Sequence, residues 1–247
     1  MENTERLVNI LEKLSKNPQA SFQECEEDFI SHADFGEMAI AQQTMLKNGV
    51  EAEELLAVWR AYKHILPDQV SCLRKEIDEN HVLRKVLAEH EMMLCFIADL
   101  EDVTKDINML ETGSSLTHEI RRIGHISSHL VYSEQHRERE EELIFPELRS
   151  RGYTEVLQIL SKQHWEISRA NYKLHGLIWK VDEIEFDEFK RKLNELVGFV
   201  VPAMRLHLFI EGNVVFPLAV AVIKSKRVWD RMKTVADEIG YCGYDGK

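Results

Sequence analysis

Two stretches of the chain repeat one phrase. His136-Arg-Glu-Arg-Glu140 runs on to Leu143-Ile-Phe-Pro146, and His207-Leu-Phe-Ile-Glu211 runs on to Val214-Val-Phe-Pro217. His136 and His207, Glu140 and Glu211, Phe145 and Phe216, and Pro146 and Pro217 are all offset by 71. A His and a Glu four apart sit one turn apart on one helix face, so both side chains reach a common point. Two such helices face to face supply two imidazoles and two carboxylates, which is how helical bundles hold a pair of metal ions. The repeat extends upstream: Glu89-His90 lies 46 residues before His136, and Gln163-His164 lies 43 before His207. Two helix hairpins related by a pseudo-two-fold would gather four His and two Glu around a two-metal centre. A single HxxxE arises easily by chance. Two copies with the same trailing Phe-Pro, each preceded by a similarly spaced His, do not.

The elements that must position these residues are helices. Five prolines and eleven glycines leave long stretches unbroken, and apolar residues recur at three and four with no alternating strand pattern. The chain reads as all-α. Residues 1–68 are expected to form a small helical domain, with helices over about 4–16, 35–47 and 52–65 that stop at Asn17-Pro18, Asn48-Gly49 and Leu66-Pro67. Residues 69–225 read as four long helices, about 70–107, 115–149, 155–182 and 186–224. Gly113-Ser114-Ser115, Arg151-Gly152-Tyr153 and Asp182-Glu183 mark the breaks. Short connections make neighbouring helices antiparallel, giving an up-down-up-down four-helix bundle. Residues 226–247 add a last helix near 226–239 and a Gly-rich tail.

Periodicity turns the candidate ligands inward. On the fourth helix Phe189, Leu193, Leu196, Val200, Met204, His207, Glu211, Val214 and Leu218 form one stripe, whose two polar members are the candidates. A Glu in such a stripe is costly unless paired or metal-bound. Leu157, Leu160, His164, Ile167 and Ile178 share a face of the third helix, and Leu83, Val86, His90, Leu94 and Ile97 one of the first. On the second, His136, Glu140 and Leu143 align, while Arg137, Glu138 and Arg139 are expected to point away.

The other histidines fit less well. His81 falls opposite His90 on an unbroken first helix. His118, His125 and His129 share the azimuth of His136, yet Leu116, Ile120, Ile123 and Leu130 put the apolar face on the other side. His129 stands two turns from His136, about 10 Å by helix rise. His175 is three turns from His164, and His32 and His64 read as surface residues. Tyr132, one turn before His136, is expected either to support that imidazole or to sit in the core.

The bulk numbers exclude several classes. Net charge −12 and a pI near 5.4 argue against nucleic acid or an anionic membrane as partner. No run approaches the ~20 apolar residues of a membrane span, and Met1-Glu-Asn-Thr-Glu5 lacks the marks of a signal peptide. Cys25, Cys72, Cys95 and Cys242 are scattered with no CxxC, the pattern of reduced thiols in a cytoplasm.

At the repeated motif the sequence resembles the hemerythrin-like family of cation-binding helical bundles, whose signature is HxxxE followed by apolar-Phe-Pro. The resemblance covers about residues 75–225. The first 70 residues look like an uncharacterised helical domain often joined to such bundles, and Ala236-Asp-Glu-Ile-Gly-Tyr-Cys242 looks like the ending of those two-part proteins. The family implies a non-haem di-iron centre bridged by two carboxylates and an oxo or hydroxo group, with His90, His136, Glu140, His164, His207 and Glu211 as ligands. Manganese or zinc also suits imidazole and carboxylate. The oxygen carriers of the family have a further His one turn after the third-helix His, where this chain has Ser168. Their fourth-helix Asp lies five after the His, where this chain has Gly212. The symmetric set of two His per metal and two bridging Glu is closer to the iron–sulfur cluster repair di-iron proteins. Their paired-cysteine motif is missing, since Cys25 is solitary.

With two imidazoles, two carboxylate oxygens and a bridge, each iron would be about five-coordinate, with a position open to O₂, NO or peroxide. The first expectation is a cytoplasmic protein that binds or senses O₂ or NO, with the N-terminal domain relaying to or docking a protein partner. The second is a di-iron oxidoreductase or repair-type protein that consumes NO or peroxide, or donates iron under stress, with electrons from a partner. The third is an interaction module whose metal is structural.

Overall fold

The computed structural model describes residues 2–17, 23–111 and 117–242. Pro18, the Gly113-Ser114-Ser115 break, Leu116 and the last five residues lie outside them. Among the described residues the chain is helical throughout, with no strand. The N-terminal part comprises α1 (Glu2–Lys16), α2 (Glu24–Ser31), α3 (Phe35–Lys47) and α4 (Ala52–Tyr62). Of these α2 was not legible in the hydrophobic pattern, because Ile30 is its one buried residue. A short α5 (Gln69–Glu76) leads to α6 (Val82–Met109). The second rod of the bundle is α7 (Thr117–Tyr132), α8 (Glu134–Arg139), a π-helical turn Glu140–Ile144 and α9 (Phe145–Arg149). The third is α10 (Glu155–Ile178). The fourth is α11 (Phe186–Ile210), a π-helical turn Glu211–Val215 and α12 (Phe216–Val222), and α13 (Lys226–Ile239) comes after it.

α6 packs on α7 and α11, and α10 packs on the same two, which closes a four-helix ring. Two apolar cores fill it. Met93, Ile97, Leu130, Ile167, Leu193 and Met204 belong to the core at one end. Leu83, Leu87, Ile144, Leu160, Ile210 and Phe216 belong to the core at the other. On every rod one candidate His falls between the two: His90 between Leu87 and Met93, His136 between Leu130 and Ile144, His164 between Leu160 and Ile167, His207 between Met204 and Ile210. A polar layer thus divides an otherwise apolar interior.

The N-terminal elements continue the second core, with Leu7, Leu11, Met38, Leu55 and Trp59 in the same cluster as Phe145 and Phe216. α3 lies so close to α12 that a Cβ at Gly36 would come within 2.9 Å of the Ala221 Cβ. Gln42, fully buried, donates to the Asn213 carbonyl inside the second π turn at 3.2 Å and accepts from the Trp59 indole at 2.8 Å. The rod Phe186–Val222 has a window with mean hydropathy 1.4, long and apolar enough to cross a membrane by composition, but 67% of that window is buried in the protein. Its apolarity belongs to the bundle core.

Two expected rods are broken. The span 70–107 divides into α5 and α6 because Ile77 is extended and His81 starts a new helix, its Nδ1 accepting from the Leu83 N–H at 3.2 Å. His81 is therefore an N-cap, and its ring packs 4.4 Å from that of Trp229. The second rod steps at Ser133, whose hydroxyl bonds the Leu130 carbonyl at 2.6 Å. Across that step Tyr132 loses the face it would share with His136, while Arg139 stands three residues from His136 on α8 and shares its side. Tyr132 faces out at 67% exposure, while Arg139, expected outside, is buried at 2%. Leu94, placed in the inward stripe, is 43% exposed.

Burial lowers the pKa of His81 from 6.5 to about 4, against the raising effect of Asp78. The unfolded chain therefore binds this proton near pH 6.5 and the folded one only near 4, so stability falls as pH drops through that window. An Asn keeps the cap without a titrating ring. His81→Asn should show a smaller fall in Tm between pH 6.5 and 4 than wild type; an unchanged slope would remove His81 from the acid response.

Candidate metal centre

Each HxxxE leads into a helical turn that the following proline requires. Proline has no N–H, and its ring clashes with the carbonyl four residues back in a regular helix. Here the helix widens instead: the Phe145 N–H bonds the Glu140 carbonyl and the Phe216 N–H bonds the Glu211 carbonyl, a five-residue spacing. Such π turns gather at functional sites. The two glutamates open the two turns, and the two phenylalanines return to pack under the site. Phe145 stacks on His164 at 5.7 Å between ring centres, and Phe216 lies 5.2 Å from His90.

The six predicted residues converge. Ligand atoms of His90, His136, Glu140 and Glu211 lie within 4.8 Å of one another, and so do those of Glu140, His164, His207 and Glu211. All six are buried. Glu211 Oε2 faces His90 Nε2 at 3.0 Å and His136 Nε2 at 3.6 Å. Its Oε1 faces His207 Nε2 at 2.6 Å and His164 Nε2 at 3.7 Å. Glu140 turns Oε1 to His136 Nε2 at 3.8 Å and Oε2 to His164 Nε2 at 3.2 Å. Each carboxylate thus offers one oxygen to each histidine pair.

Hydrogen bonding alone does not satisfy this cluster. Glu140 Oε1 and both Glu211 oxygens have no hydrogen-bond partner although imidazole nitrogens surround them. The contacts at 3.6, 3.7 and 3.8 Å are too long for hydrogen bonds, and the short ones from His90 at 3.0 Å and His207 at 2.6 Å lack hydrogen-bond geometry. His90 Nε2 and His136 Nε2 also face each other at 3.2 Å. Buried carboxylates without donors are costly, and converging imidazole nitrogens are what a cation needs. Without a cation the electrostatics are divided. Burial raises the Glu140 carboxyl, and the Glu211 charge raises it further. Burial opposes the Glu211 charge, but His207, His136 and His164 hold that carboxyl well below its usual range. His164 rises to about 11 against burial because Glu140 and Glu141 bond it, whereas burial takes His207 below its usual value. The donor set fits two cations that share both carboxylates.

Behind the imidazoles lie residues that motif spacing alone does not assign. Glu89 Oε2 accepts from His136 Nδ1 at 2.9 Å, and Gln163 Oε1 accepts from His207 Nδ1 at 3.1 Å. Their signal is in the sequence: each immediately precedes the lone His of its half. Glu141 accepts from His164 Nδ1 at 2.7 Å. Buried Arg139 pairs with Glu89. Such partners fix the ring orientation and basicity of a ligating imidazole. The pseudo-two-fold breaks at Gly212, the counterpart of Glu141. A Cβ there would meet Val70 Cγ2 at 3.0 Å, so α5 leaves no room for a carboxylate beside His90.

The remaining histidines stay apart. His118 is exposed, and His125 and His129 pack on Phe96 with ring centres at 6.0 and 4.5 Å. His175 bonds Ser127 at 3.0 Å and the Trp179 indole at 3.1 Å. A cavity of about 30 Å³ adjoins the cluster, lined by His136, His164, His207, Ser168, Glu134 and Met93 among others. In its wall Ser168 bonds Glu134, and Glu134 pairs with Arg137.

Glu140→Ala and Glu211→Ala should each remove most of the bound metal, and Glu141→Gln should weaken affinity about 10–100-fold through His164. His118→Ala should leave affinity unchanged. Chelator competition with metal analysis reads all four, and equal affinities across the set would contradict the assignment.

No individual curated protein matches the chain. The family model described as the hemerythrin HHE cation binding domain matches residues 81–219, which hold all six converging side chains. With more than half of its length matched and a helical bundle built around that His/Glu cluster, the chain belongs to the hemerythrin HHE cation-binding family.

Proposed function

We propose that the protein holds two iron ions through His90, His136, Glu140, His164, His207 and Glu211 and uses them to bind or sense O₂ or NO in the cytoplasm. The observation that carries this reading is the cavity of about 30 Å³ against His136, His164 and His207. It exceeds the room one water needs and is far too small for an organic substrate. Bound iron would supply a redox-active centre with a position for a small ligand. The chain's own residues do the rest. Met93, Ile167, Met204 and Leu208 line the cavity with apolar surface, and Ser168, Glu134 and Arg137 line it with polar groups.

A sensor must pass the state of its site to something else. Gln42 supports that role for the N-terminal part, because it joins α3 and Trp59 to the Asn213 carbonyl in the π turn that begins at Glu211. We place a protein partner on that side of the molecule. The four cysteines are unpaired, in keeping with a reducing compartment. The acidic net charge of −12 disfavours nucleic acid and anionic membrane as partners.

Anaerobically loaded protein should bind two irons per chain and bind NO or O₂ in stopped flow. Ser168→His puts an imidazole into the cavity wall one turn from His164 and should slow ligand association about tenfold or more while leaving two irons bound. One metal per chain, or zinc that iron cannot displace, would contradict the di-iron reading. Wild-type rates in Ser168→His would move the ligand site elsewhere.

A further inference from the structure

The far end of the described chain is fastened to the back of one imidazole. After α13, Gly240 takes a φ of +95°, and the chain turns across the bundle. Arg139 donates to the Gly240 carbonyl. The Cys242 N–H donates to Glu89 Oε1 at 2.6 Å, and the Cys242 thiol donates to the Tyr132 carbonyl at 3.2 Å. The Tyr241 ring lies 4.6 Å from the Arg139 guanidinium and 4.2 Å from the Lys85 ammonium, and its hydroxyl bonds Asp237 at 3.0 Å. Glu89, fully buried, turns its other oxygen to His136 Nδ1 and Arg139.

This fastening accounts for an asymmetry in the repeat. Glu89 and Gln163 occupy matching places and each accepts from the imidazole of its own half. Glu89 also receives donors from Arg139 and from the Cys242 N–H. Three converging donors require a group that only accepts, and a carboxylate is one. An amide at 89 would set its NH₂ against a donor. In the half where Gln163 stands, no segment of tail reaches the imidazole among the described residues.

We propose that residues 240–242 form a strap that positions His136 through Glu89, and so sets how tightly the chain holds the metal at the His90–His136 half. The strap rests on the two-metal reading of the site. It touches only one half, so its loss acts directly on one metal and reaches the other only through the shared Glu140 and Glu211. Linkage is reciprocal, so metal in that half must also hold the strap down.

Two variants test this, a chain ending at Ile239 and full-length Glu89→Gln. From iron-loaded wild type, a chelator should extract both irons slowly. From either variant it should extract one iron about 10–100-fold faster than from wild type and the second in a distinctly slower phase, the two phases of equal amplitude. The reciprocal arm tracks Cys242, which is 4% exposed, by thiol labelling in a Cys25→Ser, Cys72→Ser, Cys95→Ser background. Metal loading should slow labelling at least tenfold. Release of both irons at one rate, fast or slow, in the variants would overturn the strap, and so would labelling that ignores metal. Wild type that binds fewer than two irons would defeat the two-metal reading instead, and the labelling arm would still decide the strap with whatever metal binds.

Discussion

Two carboxylates buried side by side between four imidazoles set the terms for the rest of this molecule. Glu140 and Glu211 are both fully buried, and neither meets enough hydrogen-bond donors to carry its charge. A buried charge in that position persists only if cations share it. The fold meets this demand with a polar layer set between two apolar cores, one His from each rod. The π turns serve the same demand. They place the glutamate oxygens between the histidine pairs and bring Phe145 and Phe216 back beneath the rings.

The pseudo-two-fold is close at the six converging residues and looser behind them. Each pair has one imidazole backed by a carboxylate: His136 by Glu89 and His164 by Glu141. His207 is backed by the neutral Gln163. Beside His90, α5 crowds Gly212 so that no carboxylate fits. The halves therefore differ in what reaches them from outside the bundle. The C-terminal segment reaches the first through Glu89, whereas the second is backed from within the bundle by Glu141, which pairs with Arg137.

Much of this was legible in the sequence because the governing signals are local. HxxxE and Phe-Pro are short-range patterns whose repetition at a fixed offset located four of the six converging residues; a similarly spaced upstream His located His90 and His164, and apolar periodicity the four rods. Inward stripes on α10 and α11 were readable because each helix is unbroken up to its candidate His. Some failures came where a helix changed its axis, though Leu94 is exposed within the unbroken α6. The step at Ser133 rotates Tyr132 away from the face of His136, so Tyr132 turns out, whereas Arg139 turns in because it stands three residues from His136 within α8. His81 looked like a helix-interior residue until Ile77 broke the helix and made it a cap. The bonds from Gln42 to Asn213 and from Cys242 to Glu89 join residues 171 and 153 positions apart, and no spacing rule connects such pairs.

The central claim is that two metals share Glu140 and Glu211, each with its own histidine pair. Anomalous diffraction at the iron edge from crystals of iron-loaded protein tests it most directly. The account predicts two peaks between the two carboxylates, one beside His90 and His136 and the other beside His164 and His207. A single peak, or a peak away from both glutamates, would contradict it.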